Sequence, residues 1–175
     1  MRFSSCCLLL AILVGPALRL TRAEDKMVHA ASATSKFVNF PGLPTCMKGS
    51  VQNGDPSKGA SVILSKSATG CTVPWHWHSA SEQLMMVSGS AKVAMKDGAP
   101  ATVHSGDYLS LPEKNVHQFT CVAACTMFIV PSGAFDIHYV DKDGKEISAD
   151  EALKSKAKSK TPMKKESKDM KDMKM

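Results

Sequence analysis

The chain lacks any apolar run of the roughly 18 to 20 residues that a membrane-spanning helix needs, so no stable membrane span is expected. Its longest such run, Cys7 to Leu13, soon meets Gly15-Pro16. With Met1-Arg2-Phe3 ahead of it and the small-residue exit Thr21-Arg22-Ala23 behind, residues 1–23 read as a signal peptide, which predicts a secreted or periplasmic protein. Cys6 and Cys7 precede most of the apolar run, whereas a lipid-anchored leader carries its cysteine at the end.

A basic folded face is also lacking. The formal charge is +6, but residues 154–175 carry nine lysines against Glu166, Asp169 and Asp172, while residues 24–153 carry ten lysines against thirteen acids. The positive charge belongs to a tail and not to a surface shaped to follow a phosphate backbone, and no nucleic-acid partner is expected.

Helix-length apolar stretches are missing between Phe37 and Ile147. The runs there are Ala60 to Leu64, Glu82 to Val87, Ala91 to Met95, Tyr108 to Leu111, His117 to Val122, Met127 to Val130 and Phe135 to Val140. Turn chemistry such as Ser88-Gly89-Ser90, Asp97-Gly98 and Asp143-Gly144 cuts between them. The pattern predicts an all-β core, a barrel or sandwich over residues 36–147. Residues 24–35 have no steady period and predict a flexible N-terminal arm. Ser148-Ala149-Asp150-Glu151 is a capping box, so a short C-terminal helix is expected over residues 148–160. The Lys/Met-rich residues 161–175 predict a disordered tail, in which Met170, Met173 and Met175 read as low-complexity sequence and not as soft metal ligands.

Removal of residues 1–23 leaves four cysteines, Cys46, Cys71, Cys121 and Cys125. They allow three pairings, and the sequence does not choose among them. Cys121 and Cys125 flank a short turn and suit a disulfide clip, with buried free thiols as the alternative.

What the chain does contain is histidine at informative spacing. On a strand, alternation puts His76 and His78 on one face and Trp75 and Trp77 on the other, where sheet packing or a dimer contact would occupy the indoles. Glu82 follows a short turn and opens the next apolar run, and His117 heads a distant one. Three imidazoles and one carboxylate buried together without partners would be costly, so the set predicts one divalent transition metal: Fe, Mn, Ni, Cu, Co or Zn. Leu84 and Met86 share the Glu82 face and Phe119 the His117 face. With Met95 they are the candidate apolar pocket wall, core filling being the alternative for each. Almost no other polar residue is expected on the inner face. His29, His104 and His138 read as exposed or singly hydrogen-bonded.

These residues resemble the cupin superfamily. Its first motif is a glycine, five residues, His-x-His, three or four residues, a glutamate, six residues and a glycine. Gly70, His76, His78, Glu82 and Gly89 meet every defined position. The second motif is met by Gly106, Pro112 and His117, with Lys114 in place of the usual glycine and Cys121 in place of the usual asparagine. A lysine tolerates positive φ poorly, so a turn of different backbone shape is expected at Lys114. Cys121 lies roughly 13 Å along a strand from His117, beyond reach of a shared ion. The resemblance covers about Val62 to Val130 and implies a jelly-roll (double-stranded β-helix) barrel of a compact, single-domain member, commonly a homodimer, with His76, His78, Glu82 and His117 as ligands. It further implies dioxygenase-type oxidoreductase chemistry on a small oxygen-rich molecule, phenolic, enolic or carboxylate, with Glu82 available as a base. A non-catalytic metal- or ligand-binding module and a metal-dependent isomerase or hydrolase are the alternatives. No Ser-His-Asp pattern or second carboxylate offers other catalytic machinery.

Overall fold

A computed structural model describes residues 26–155; residues 1–23, expected to be a signal peptide, the expected tail and the distal part of the expected helix lie outside them. Eleven strands and one helix follow in order: β1 Met47–Gly54, β2 Ser61–Ser67, β3 Thr72–Trp77, β4 Glu82–Ser88, β5 Ser90–Met95, β6 Ala101–His104, β7 Tyr108–Leu111, β8 His117–Cys121, β9 Cys125–Pro131, β10 His138–Val140, β11 Glu146–Ile147 and α1 Ala149–Ser155. The strands form two antiparallel sheets, ordered β1-β2-β9-β4-β7 and β11-β10-β3-β8-β5-β6, packed as a jelly roll.

Alternation builds the interior. In β9, Cys125, Met127, Ile129 and Pro131 are buried while the residues between them are half-exposed, and the same period turns Leu84 and Met86 of β4 and Val93 of β5 inward. With Ile63, Val73, Leu111, Phe119 and Tyr139 they make one apolar core between the sheets. Consecutive strands β4 and β5 belong to different sheets, so the chain must turn a corner within one residue. Gly89 does this at φ 85°, and any Cβ there would run into the Ala124 carbonyl.

Three expectations need correction. The strand expected from Phe135 is formed only at His138–Val140; Phe135 and Asp136 sit in the loop before it, where Phe135 lines the interior cavity and the Asp136 carbonyl meets the His78 ring. The inner face is not free of additional polar groups: Ser61, Ser65 and Ser67, on alternate positions of β2, are all buried. Lys114 also does not reshape its turn. It adopts φ 58° and is the one non-glycine residue with positive φ among the described residues. Its N–H donates to the His78 carbonyl at 2.8 Å, a bond that holds the left-handed conformation despite the side chain. At the other end, Ser148 Oγ accepts from the Glu151 N–H at 3.2 Å, the contact that starts α1.

Two disulfides join the sheets. Cys46, just before β1, bonds Cys71, just before β3, with Cα atoms 5.7 Å apart, and Cys121 at the end of β8 bonds Cys125 at the start of β9, 5.9 Å apart. Both lie away from the histidines, since Cys71 and Cys121 occupy the opposite ends of their strand regions from His76 and His117.

Two stability outcomes follow. By loop-closure entropy, the 25-residue separation of Cys46 and Cys71 makes that bond worth about 3.5 kcal/mol and the 4-residue clip roughly 2. Denaturant unfolding of Cys46→Ala/Cys71→Ala and Cys121→Ala/Cys125→Ala should rank the pairs in that order, and equal losses would contradict it. Lys114→Gly should stabilise by about 1 kcal/mol, because glycine occupies positive φ without the Cβ penalty.

Candidate metal centre

The histidine site depends on an irregularity in β3. Its register with β8 shifts between Val73 and His76, at Pro74, which has no N–H to give to a ladder. The Pro74 carbonyl lies 2.6 Å from His76 Nδ1. His117 Nδ1 meets the Asn115 carbonyl at 2.9 Å, and His78 Nδ1 meets the Asp136 carbonyl. A carbonyl can only accept, so each Nδ1 carries the proton and donates it, and each Nε2 keeps a lone pair.

The three rings face one another. Their centroids lie 4.2 Å (His76–His117), 4.9 Å (His76–His78) and 5.5 Å (His78–His117) apart, and one nitrogen from each falls within 4.8 Å of the others. His117 Nε2 is buried with no partner at all. Glu82 lines the same cavity, with Oε2 at 3.8 Å from His78 Nε2, but it lies outside the tight three-histidine set. At that distance the two groups are not hydrogen-bonded to each other.

Burial sets the charges. It lowers the pKa of His76 well below the ordinary value, helped by repulsion from His117 and His78. Burial likewise lowers His78 and His117, against the pull of their carbonyl partners. It pushes Glu82 up to about 7, with His117 acting in the opposite direction. Neutral imidazoles with converging lone pairs, one of them orphaned, beside a buried carboxyl are the donor set of a first-row divalent ion, and the residues fit one.

The cavity, of about 30 Å³, is walled by Leu43, Met47, Val73, Leu84, Phe119, Met127, Ile129 and Phe135 around the four polar residues. Leu84 and Phe119 stand where the strand pattern puts them. Met86 and Met95 are not on this wall: Met86 is buried one inward position deeper on β4, and Met95, where β5 ends, borders an outer groove with Trp75 and Val116. Phe135, to which no local pattern assigns a role, packs against the His78 ring with centroids 5.2 Å apart. His29 is exposed and His104 is an exposed partner of Asp107.

Behind the site a second network departs from expectation. His138 is bonded to two carboxylates, Glu146 through Nδ1 at 2.6 Å and Asp136 through Nε2 at 3.3 Å, and it stacks on Trp77 with centroids 3.9 Å apart. Asp136 Oδ1 also accepts from the Ser79 N–H at 2.8 Å, so one residue engages the His78 ring, Ser79 and His138 together. Burial disfavours charge on His138, but the bonds to Glu146 and Asp136 outweigh it and raise its pKa. The signal for this network was the Trp77/His138 pairing of β3 with β10, which no local pattern predicts.

Residues 64–131 match the family model described as a cupin domain. No curated protein sequence matches the chain at a significant level. Among solved structures, an RmlC-like cupin from Ralstonia eutropha superimposes with a TM-score of 0.55 at 18% identity, covering 77% of this chain and 90% of that one. An RmlC-like cupin from Shewanella frigidimarina gives 0.52 at 17% identity, with 61% and 91% covered. The polyketide cyclase RemF from Streptomyces resistomycificus gives 0.55 at 16% identity, with 68% and 90% covered.

The stacked pair supplies an optical readout. Protonated His138 should quench Trp77, so tryptophan fluorescence should rise as pH passes through a midpoint above 6.5, the ordinary histidine value. A raised folded-state pKa means that the ion pairs stabilise fully below about pH 6.5 and are lost as pH climbs through the folded value. Glu146→Gln should move the midpoint down; an unmoved midpoint would separate the two residues.

Proposed function

The chain is a single-domain member of the cupin superfamily, and from that premise we propose that it is an exported metal-binding cupin, a small-molecule oxidoreductase of dioxygenase type. The observation that carries the reading is the convergence of three Nε2 lone pairs, that of His117 without any partner, on a cavity beside a buried carboxyl. His76, His78 and His117 would hold the ion through Nε2, and Glu82 through a carboxylate oxygen. A bound divalent ion supplies Lewis acidity and open positions for an oxygen-rich ligand, phenolic, enolic or carboxylate.

The residues around the ion do the remaining work. The carbonyls of Pro74, Asn115 and Asp136 hold the imidazoles in one tautomer, so no reorientation accompanies ligand arrival. Glu82, buried in the protein alone and raised there to about 7, would be the base for a hydroxyl of the ligand when it leaves the ion. Leu84, Phe119 and Phe135 keep bulk water from that proton. Export is supported by the two disulfides, which suit an oxidising compartment.

One observation favours a second reading. A space of about 30 Å³ has room for a water or two and not for an aromatic substrate, whose pockets run to roughly 300 Å³ or more. A module that holds metal and a very small ligand without turnover needs no more room than this.

Elemental analysis of untagged protein should find one transition metal per chain, lost in His76→Ala and His117→Ala with the fold intact by circular dichroism. A chain still empty after incubation with iron, manganese, zinc and copper ends the metal reading. In a metal-loaded sample, dioxygen uptake with phenolic or enolic compounds supports the oxidoreductase. Ligand-dependent spectral change without uptake supports the binding module, and conversion without oxygen supports an isomerase or hydrolase.

A further inference from the structure

Ser65 is 1% exposed and its hydroxyl has no partner. It lies in register with Gly49 of β1 and Met127 of β9, while in the adjacent inward row Ile129 and Leu84 wall the metal cavity and Ile63 lines the Ser65 side. From the Glu82 row to the Ser65 row is four residues along the strands, about 13 Å. Ser65 faces a second, smaller space of about 10 Å³, lined otherwise by Phe40, Leu43, Met47, Gly49, Ile63, Ile129 and Phe135. Leu43, Met47, Ile129 and Phe135 line both spaces and are the partition between them.

A resident water does not account for this hydroxyl. Water in a protein interior needs two to four polar partners, and no side chain on this wall besides Ser65 offers one. The nearest backbone is engaged, since the Gly49 N–H and carbonyl both pair with Val38 at 2.9 Å. A buried hydroxyl kept without a partner is a standing loss to the fold, reasonable where something outside the fold uses it.

We infer that Ser65 is the far anchor of a ligand subsite continuous with the metal centre, and that the ligand is an elongated small molecule. It has an oxygen donor for the ion at one end, an apolar body, and a hydroxyl or carbonyl at the other end that pairs with Ser65. The inference rests on the metal reading for the near end only. Of the four partition residues, Met47 and Ile129 are fixed in β1 and β9, whereas Leu43 and Phe135 lie outside the strands, so the ligand's path runs where these two side chains move and leaves the ladders intact.

Octanoate and ω-hydroxyoctanoate are the probes, titrated by calorimetry into the full chain, metal-free and cobalt-loaded. The hydroxy acid should bind about tenfold tighter than octanoate, the ordinary worth of one buried hydrogen bond. In Ser65→Ala the preference should fall to about one with cobalt content unchanged, and in Ser65→Cys, which keeps the volume, to an intermediate value. The melting temperature of metal-free Ser65→Ala should stay level or rise, because an unpaired group has been removed. No binding of either acid, no preference in the wild type, a preference that survives Ser65→Ala, or a clear fall in melting temperature each overturns the inference. The preference is also read without metal, so failure to load cobalt would end the metal reading and leave this subsite still tested.

Discussion

Three backbone carbonyls accepting from three imidazole Nδ1–H groups are the constraint on which the centre depends. Without them each ring could turn over or exchange tautomers, and three buried neutral histidines would have no reason to aim the same nitrogen at one point. A carbonyl inside a regular ladder is already engaged, so free ones must come from irregular backbone. The fold supplies one at each corner: the β3 bulge at Pro74, the turn containing Lys114 at Asn115, and the loop before β10 at Asp136. Regular strands bring the rings to one level, and the breaks in regularity orient them.

That division explains what was legible in the sequence. His76, His78 and His117 could be grouped because strand alternation and spacing are local properties, and most strands could be found because apolar runs end at glycine and Asp/Asn turns. The carbonyl partners could not be read, since every residue carries a carbonyl and only tertiary structure decides which is free. Strand β1, Met-Lys-Gly-Ser-Val-Gln-Asn-Gly, escaped notice because a chain with glycine and serine at inward positions shows no apolar period. The serine row of β2 was hidden for a related reason: Ser61, Ser65 and Ser67 alternate as a strand should, but the residue type is read as surface. Lys114 misled through a sound preference that a single hydrogen bond to His78 overrode.

The tight cluster is three histidines, with Glu82 beside it and not within it. The cause is electrostatic. Burial raises Glu82 to about 7 while it keeps the histidines neutral, so no strong attraction draws the carboxyl inward in the protein alone. A dication at the focus of the three Nε2 atoms would change that balance, favouring the ionised carboxylate and neutral imidazoles together. The arrangement is one in which the histidines are preset and the carboxylate is the adjustable fourth member.

Such an interior has a stability cost. His76, His78, Glu82, His117 and the three serines of β2 occupy inward positions that leucine or valine would hold in a barrel built only to fold, and each replacement forgoes about 1.5–3 kcal/mol of burial. A domain this small has little margin. Part of the deficit is offset at the opposite end, where Cys46–Cys71 and Cys121–Cys125 tie one sheet to the other without taking space in the cavity. The separation follows from the chemistry: a thiol within reach of the histidines would compete for the ion, whereas a disulfide at the far end constrains the unfolded chain equally well. The polar mouth and the cross-linked base are therefore two halves of one solution.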